Sequence, residues 1–267
     1  MSARPVAVVT GAAGAIGTAI ALELARRGHD LELLDVDEAG VRAAAERVRA
    51  VGAAAAATVA DLADLERLPD ALDGIARRSP GVAVLVNNAA WRRLQTLREA
   101  TLADWERTLR ICLTAPAFIA RWAAELMRPA GHGVIVNVSS LNAARCGGVA
   151  AAYVAAKGGL ESLTYEMASL YGRAGIRVLA VAQGAVDAAL GNDWTTRDDL
   201  ALDLRRASED AIPLGRWADP AEIARTIAAL CGPDASYLTG TVVTVDGGYQ
   251  RALIPASLQR RLSASFA

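Results

Sequence analysis

Short apolar runs rich in β-branched residues alternate along the chain with longer segments dominated by alanine, leucine and arginine. The short runs are apolar at consecutive positions, which is typical of strands buried on both faces. They predict seven strands, at 6–10, 31–35, 55–60, 82–86, 134–138, 177–181 and 242–245. The intervening segments predict six helices, at 15–28, 38–51, 62–78, 101–128, 151–173 and 219–231.

Buried strands that alternate with crossover helices predict an α/β fold with a seven-stranded parallel sheet and helices on both faces. No linker or repeat divides the chain, so we expect one doubly wound domain over residues 1–267. The longest interruption of the strand–helix rhythm is 184–213, which we interpret as a substrate loop. Residues 249–267 follow the last strand as a C-terminal tail.

Composition narrows the function classes. The 267 residues are 53% hydrophobic with a net charge of −1, which argues against a general nucleic-acid binder. No apolar run reaches the length of a membrane span, and the N-terminus does not resemble a signal peptide.

The cysteines and histidines bear on the cellular compartment and on whether a metal site is predicted. Cys112, Cys146 and Cys231 are an odd number with wide spacing, which is typical of reduced thiols and predicts a cytoplasmic protein. His29 and His132 are isolated, so no metal site is predicted.

A glycine-rich turn follows the first predicted strand. Gly11 and Gly14 follow that strand, and Ala15, Ile16 and Gly17 open the next helix. Glycines allow a tight turn and close backbone approach, and a helix N-terminus offers free N–H groups to a pyrophosphate. The strand–turn–helix context favours a dinucleotide site.

Asp35 ends the second predicted strand, eighteen residues after Gly17. A carboxylate there suits the adenosine ribose hydroxyls and repels a 2′-phosphate. No arginine lies in the glycine turn or directly after Asp35, so NAD is favoured over NADP. Asp37, just before Glu38, fits helix capping better.

Lys157 is the only lysine among 28 basic residues, and Tyr153 precedes it by four positions. On a helix this spacing places the two side chains on one face. A neighbouring ammonium favours the phenolate form of a tyrosine, which can then act as a general acid or base. The spacing also fits an exposed helical pair, so it does not decide alone.

Several motifs in order resemble those of the short-chain dehydrogenase/reductases. They are Thr10-Gly11, Asn87-Asn88-Ala89, Asn137-Val138-Ser139-Ser140, Tyr153 with Lys157, Leu238-Thr239-Gly240 and Val245-Asp246-Gly247-Gly248. The resemblance covers about residues 5 to 249. It implies a Rossmann-like fold and an oxidoreductase.

The resemblance also implies roles for individual residues. Tyr153 would exchange a proton with the substrate oxygen, Lys157 would hold the nicotinamide ribose, and Ser140 would hydrogen-bond the substrate carbonyl. Asp61 would contact the adenine, and Asn87 and Ala89 would line the cleft. The implied cofactor-binding residues are Gly11, Gly14, Ile16, Gly17, Asp35, Asp61, Leu62, Asn88, Ala89, Tyr153, Lys157, Gly184 and Val186.

Five positions depart from the family pattern: Ala15, Ala90, Cys112, Gln183 and Ala188. Cys112 replaces an asparagine thought to hold a water behind the lysine. A thiol either weakens that relay or packs as a small hydrophobe, and we favour packing. Gln183 and Ala188 replace a proline and a threonine, which predicts weaker cofactor binding or a relocated contact.

Residues that follow the strand ends are the candidates for substrate contact. They are Trp91, Arg92, Asn142, Arg145, Gln183 and Trp194. Arg92, Arg93 or Arg145 can pair with a substrate carboxylate or phosphate, or face solvent or another subunit.

The prediction is an NAD-dependent oxidoreductase that interconverts a secondary alcohol and a ketone. The alternatives are an NADPH-dependent ketoacyl-type reductase and a catalytically weak dinucleotide-binding sensor or scaffold. The resemblance implies a homo-oligomer, dimer or homotetramer, paired through the helices at 101–128 and 151–173.

Overall fold

The computed structural model describes residues 4–188 and 198–264, and the side chains of 198–203 lie outside this description. The strands are β1 Val6–Thr10, β2 Asp30–Asp35, β3 Ala55–Val59, β4 Val82–Asn87, β5 Gly133–Ser140, β6 Ile176–Gln183 and β7 Thr241–Val245. The α-helices are α1 Ala15–Arg26, α2 Glu38–Ala50, α3 Leu68–Arg78, α4 Leu102–Leu109, α5 Ala115–Met127, α6 Ala151–Tyr171, α7 Asp198–Ala211, α8 Pro220–Cys231 and α9 Ala256–Ala264.

The seven strands form one sheet in the order β3-β2-β1-β4-β5-β6-β7, and every neighbouring pair is parallel. The predicted doubly wound α/β fold and its seven-stranded parallel sheet are confirmed. Crossover helices cover both faces of the sheet. Consecutive side chains on each strand point to opposite faces, so the strands contribute side chains to a core on each side.

The central strand β1 shows how the sequence builds two cores. Ala7 and Val9 pack on one face with buried residues of α1, α2 and α8. Val8 points the other way and packs with α3, α5 and α6. The continuous apolar sequence of β1 therefore follows from having a helical layer on each side.

From β1 the chain adds β2 and β3 on one side of the sheet, and it then continues with β4 to β7 on the other side. The switch point lies between β1 and β4. In such sheets ligands bind outside the carboxyl ends of the strands at this switch point. Thr10, Asp35, Asn87, Ser140 and Gln183 end five of the strands and lie along that edge.

A buried polar network fixes α6 against the sheet. Asn87 Nδ2 donates to Asn137 Oδ1 at 2.9 Å, and Asn137 Nδ2 donates to Thr164 Oγ1 at 3.0 Å. Asn87 and Asn137 are register partners on β4 and β5. The structure thus places Asn87 in the interior, where it orients the helix that carries Tyr153, instead of lining the cleft as expected.

Two predicted helices differ from the observed ones. The segment 62–78 becomes helical only at Leu68, because Asp61 and Asp64 accept hydrogen bonds from the backbone of Ala63 and Arg67 and hold turns.

The predicted helix 101–128 contains a π turn over Arg110–Thr114 between α4 and α5. Pro116 has no N–H to donate four residues back, and the N–H of Ala115 bonds five residues back to Arg110. Proline chemistry therefore explains the irregular turn. The turn places Cys112 in the interior.

The C-terminal tail is attached to α7. Ser257 donates through its backbone N–H and its hydroxyl to the carboxylate of Asp210. Arg145, near the end of β5, also donates to the backbone carbonyl of Tyr249. The tail therefore packs on this chain at both its beginning and its helix α9.

Within residues 4–188 and 198–264, no helix is long and apolar enough to cross a membrane. The same described residues contain no group of three or more His, Cys, Asp or Glu side chains arranged to hold a metal ion.

Candidate active site

The glycine turn brings the backbones of β1 and β4 into contact. Gly11 has φ of +66°, and a Cβ there would lie 2.7 Å from Ala89 Cα. A Cβ on Gly17 would lie 2.0 Å from the carbonyl oxygen of Gly11. Both positions therefore require glycine. Gly14 is different, because a Cβ would meet its nearest atom at an ordinary 3.5 Å.

Thr10 and Asn88 lock this junction with reciprocal hydrogen bonds. Thr10 Oγ1 accepts from the N–H groups of Asn88 and Ala89 at 3.0 and 3.1 Å. Asn88 Nδ2 donates to the carbonyls of Thr10 and Gly11 at 3.0 and 3.1 Å. Thr10 was not among the predicted site residues, although its place in the Thr-Gly motif is the signal that identifies it.

The N-terminus of α1 opens onto the same edge. Its N-cap is Gly14, which has no side chain to occupy the free N–H groups of the first turn. Ile16 is half-buried beside the core. Uncapped N–H groups at a helix start are a natural anion site.

Asp35 is held against the turn by two backbone donors. Its Oδ2 accepts from Ala13 N at 2.9 Å and its Oδ1 from Asp37 N at 3.0 Å. Asp37 caps α2 by accepting from Gly40 N at 3.1 Å. The two neighbouring carboxylates therefore have different partners, and Asp37 caps the helix as expected.

Asp61 lies at the end of a chain of side chains that reaches Trp91. Arg107 Nη2 is 3.8 Å from Asp61 Oδ2, and its guanidinium carbon is 5.4 Å from the centroid of the Trp91 ring. Leu62 beside Asp61 is buried. Arg107 was not predicted, and nothing in its sequence context indicates this bridge.

Ser140 ends β5 and faces the site edge. Its Oγ accepts a hydrogen bond from Asn142 N at 3.2 Å, which caps the 3₁₀ turn that follows. A hydroxyl that accepts this bond keeps its own proton for donation. Gln183 is the register partner of Ser140 on β6.

Tyr153 and Lys157 lie in the first turns of α6 and are both buried. Lys157 Nζ lies 5.5 Å from the centroid of the Tyr153 ring and donates to the carbonyl of Val138 at 2.6 Å. Lys157 is only 2% exposed. Because an ammonium has three donors, two remain for groups beyond this carbonyl. Lys157 is therefore attached to β5, the strand that Ser140 ends, and lies beside the Tyr153 ring.

Cys112 is fully buried in the π turn. Its thiol donates to the carbonyl of Trp91, and its sulfur accepts from Trp91 N, both at 3.4 Å. Burial raises the pKa of the Cys112 thiol, and the positive charge of Lys157 opposes that shift. Cys112 is buried, as expected for a side chain that packs as a small hydrophobe, but its thiol also makes two polar contacts with the Trp91 backbone.

Gln183 contributes an unpartnered polar atom to the site edge. Its Oε1 is buried and accepts no hydrogen bond from the described residues. Gly184 donates to the carbonyl of Val245, and a Cβ there would lie 2.7 Å from Asp246 Cα. Val186 pairs with Ala218, and the methyl of Ala188 packs against the core.

The candidate substrate residues have different partners. Arg92 lies with its guanidinium carbon 5.6 Å from the centroid of the Tyr153 ring. Arg145 stacks on the Tyr249 ring at 4.6 Å, so it contacts the tail. Asn142 donates to Ser140 through its backbone. Trp194 lies outside the described residues.

Comparison with known proteins decides the family. A family model described as Enoyl-(Acyl carrier protein) reductase matches residues 11–250. The chain is 38% identical to cis-4-hydroxycyclohexanecarboxylate dehydrogenase of Sinomonas cyclohexanicum, over 92% of this chain and 97% of that one. The chain belongs to the short-chain dehydrogenase/reductase family. It is therefore an oxidoreductase, of a family that binds a nicotinamide dinucleotide.

Other relatives of this short-chain dehydrogenase/reductase act on secondary alcohols. It is 33% identical to galactitol 2-dehydrogenase (L-tagatose-forming) of Cereibacter sphaeroides, covering 91% of this chain and 94% of that one. A proposed NAD(P)-dependent gluconate 5-dehydrogenase of Beutenbergia cavernae, solved with bound NADP at low occupancy, superposes with a TM-score of 0.84 at 35% identity. That match covers 92% of this chain and 96% of the other.

Thiol reactivity tests the environment of Cys112. Burial raises the pKa of Cys112, and raises that of Cys231 to about 12, so both remain protonated thiols near neutral pH. The thiolate is the reactive form, and Cys146 is the exposed cysteine. With a disulfide reagent at about pH 8, we expect one fast-reacting thiol per chain, absent from Cys146→Ser. A fast phase that disappears from Cys112→Ser instead would contradict the buried, protonated state.

Proposed function

We propose that the chain is an NAD(H)-dependent dehydrogenase that interconverts a secondary alcohol and a ketone in the cytoplasm. The observation that carries this proposal is the buried Lys157 beside the Tyr153 ring, on the helix that faces the Ser140 strand end. These three residue types supply a proton acceptor, a fixed positive charge and a hydrogen-bond donor at one place.

In alcohol oxidation, Tyr153 takes the hydroxyl proton while the carbon loses a hydride. Lys157 stabilises the phenolate that must accept this proton, because its ammonium is held beside the ring by the Val138 carbonyl. Ser140 donates to the substrate oxygen as it becomes a carbonyl. In ketone reduction Tyr153 returns the proton. The nicotinamide cofactor, when bound, accepts or supplies the hydride.

The residues of the glycine turn fit a dinucleotide. Gly11 and Gly17 hold the turn close to neighbouring backbone, where a side chain would not fit, and the first N–H groups of α1 beside it have no side-chain cap. Asp35 would accept from the adenosine ribose hydroxyls, and Asp61 with Leu62 would contact the adenine. These positions support the assignment of the other predicted cofactor residues, Ile16, Asn88, Ala89, Gly184 and Val186.

Two residues expected near the nicotinamide, Gln183 and Ala188, depart from the family pattern, and one of them can replace the contact that the other has lost. Ala188 supplies no hydroxyl, but Gln183 places an unpartnered, buried carbonyl oxygen on the neighbouring stretch. We infer that Gln183 accepts from the nicotinamide carboxamide in place of the missing hydroxyl. This supports a relocated contact over a damaged site.

Replacing Tyr153 by phenylalanine tests the acid–base role. We expect Tyr153→Phe to lower kcat by about a hundredfold or more, because general acid–base catalysis contributes about 10²–10⁴. Activity is followed at the nicotinamide absorbance with a panel of secondary alcohols, including 4-hydroxycyclohexanecarboxylate, galactitol and acetoin. Tyr171→Phe on the same helix is the matched control and should retain wild-type kcat.

Fluorescence titration with NADH separates chemistry from binding in the same variants. Ordinary micromolar affinity in both wild type and Tyr153→Phe is expected and would argue against a damaged cofactor site. NADH binding without turnover of any carbonyl or alcohol would favour the sensor alternative. Unchanged activity in Tyr153→Phe would refute the mechanism.

Substitution of Asp35 tests the preference for NAD. Its carboxylate repels a 2′-phosphate, so we expect Asp35→Ser to shift the kcat/KM ratio toward NADP by at least about tenfold. Asp37→Ser is the control, since Asp37 caps α2; it should leave the ratio unchanged and change stability little, because serine is also a good N-cap residue. A wild-type preference for NADPH would instead support the ketoacyl-type reductase.

Exposed apolar side chains on α5 and α6 support the proposed homotetramer. Phe118 on α5, and Tyr165 and Leu170 on α6, are about half exposed or more in the single chain. These side chains lie on the two helices that we expect to pair between subunits, and burial of exposed apolar area would favour that association. We expect light scattering to give four chain masses for the wild type and a smaller species for Phe118→Asp with Tyr165→Asp. Val51→Asp, at the end of α2, is the control, and a monomeric wild type would contradict the proposal.

A further inference from the structure

Arg92, Arg93 and Arg145 are the three arginines that could bind an anion beside the proposed site. Two of them, Arg93 and Arg145, already have partners within the chain. Arg93 Nη1 lies 3.3 Å from the carboxylate of Asp104. Arg145 donates to the Tyr249 carbonyl and stacks on the Tyr249 ring. Both guanidinium groups are therefore occupied within this chain.

Arg92 differs from them. No carboxylate lies within ion-pair distance of its guanidinium in the described part of the chain, and its Nε is buried without a hydrogen-bond partner there. A buried N–H that lacks an acceptor is costly. An arginine kept in this state beside a reaction site is prepared for an acceptor that arrives with a ligand.

The position of Arg92 is at the proposed reaction centre. Its guanidinium carbon is 5.6 Å from the centroid of the Tyr153 ring, and Lys157 Nζ is 5.5 Å from the same centroid. Two cations thus flank the tyrosine that handles the substrate proton. Neither has an acidic partner within ion-pair distance among the described side chains, those of residues 4–188 and 204–264, so the charge that these side chains place beside Tyr153 is positive.

The remaining neighbours of Arg92 are compatible with an anion. Cys112 is protonated and carries no negative charge, and the Trp91 backbone is engaged by its thiol. The planar fork of a guanidinium matches the two oxygens of a carboxylate. The electropositive region lies next to Tyr153, so the anion and the reacting carbon can belong to one small molecule.

We propose that Arg92 binds a carboxylate of the substrate, so that the enzyme acts on hydroxy acids and their keto acids. This assignment rests on the proposed function, since Tyr153 marks the reacting carbon. It makes Arg92 a specificity-determining residue. A guanidinium that only stacks on the Tyr153 ring would not discriminate ligands by charge.

Calorimetric binding of two unreactive ligands of the same shape tests the assignment without turnover. Cyclohexanecarboxylate and cyclohexanecarboxamide are titrated into the NADH-loaded enzyme. We expect the wild type to bind the carboxylate about tenfold to a hundredfold more tightly, the size of a hydrogen bond to a charged group. Arg92→Met should bring the two affinities together, and Arg93→Met, the matched control, should keep the preference.

Arg92→Lys is a second variant, which separates loss of the carboxylate contact from a folding defect in Arg92→Met. It keeps the charge and loses the fork, so we expect a reduced preference of a few fold with an unchanged unfolding temperature. Equal binding of acid and amide by the wild type, no binding of the acid, or a full preference retained in Arg92→Met would each overturn the proposal. Tighter binding of cyclohexylphosphonate than of the carboxylate would also overturn it.

These outcomes are distinct from failure of the proposed function. An enzyme that oxidises neutral secondary alcohols but binds acid and amide equally retains the function and loses the carboxylate receptor. An enzyme that prefers the acid through Arg92 but turns over no alcohol retains the receptor and loses the proposed chemistry.

Discussion

The backbone contact between Gly11 and Ala89 is the constraint on which the site depends. It joins the turn after β1 to the end of β4 at the place where the strand order reverses. Thr10 and Asn88 exchange hydrogen bonds across it, so neither segment can move alone. The start of α1, Asp35 and the Trp91–Arg92 segment all take their positions from this junction.

A second constraint is the burial of Lys157. An ammonium removed from water is costly unless it is hydrogen-bonded, and the described chain gives it one carbonyl, that of Val138. Arginine would not fit, because its broad fork needs more space and more acceptors than one carbonyl supplies. The size of the site and its single carbonyl acceptor therefore explain why this arginine-rich chain has a lysine at position 157.

Most of the fold could be predicted because it depends on local sequence patterns. Apolar runs located all seven strands, and the boundaries of β1 agree with the prediction, while β5 and β6 extend two residues further at their carboxyl ends. Those extra residues include Ser140 and Gln183, whose polar character hides them from a hydrophobic pattern. The spacing of Tyr153 and Lys157 predicted a shared helix face for the same local reason.

Partners distant in sequence could not be predicted. Arg107 reaches Asp61, and Arg145 reaches Tyr249, through contacts that only the folded chain defines. Arg92, Arg93 and Arg145 look alike in sequence, and their roles separate only when Asp104 and Tyr249 are seen beside two of them. The identity of an unpaired side chain is a property of the tertiary structure.

The π turn at Cys112 has a consequence for the rotational phase of the helix. One additional residue in a turn rotates everything beyond it by about 100° about the axis. The apolar stripe of α4, which packs on α6, is therefore not continued by the stripe of α5, which packs on the sheet. The continuous helical segment formed by α4, the π turn and α5 therefore packs through two different faces. The change of face occurs at the π turn, where the Cys112 thiol contacts the Trp91 backbone.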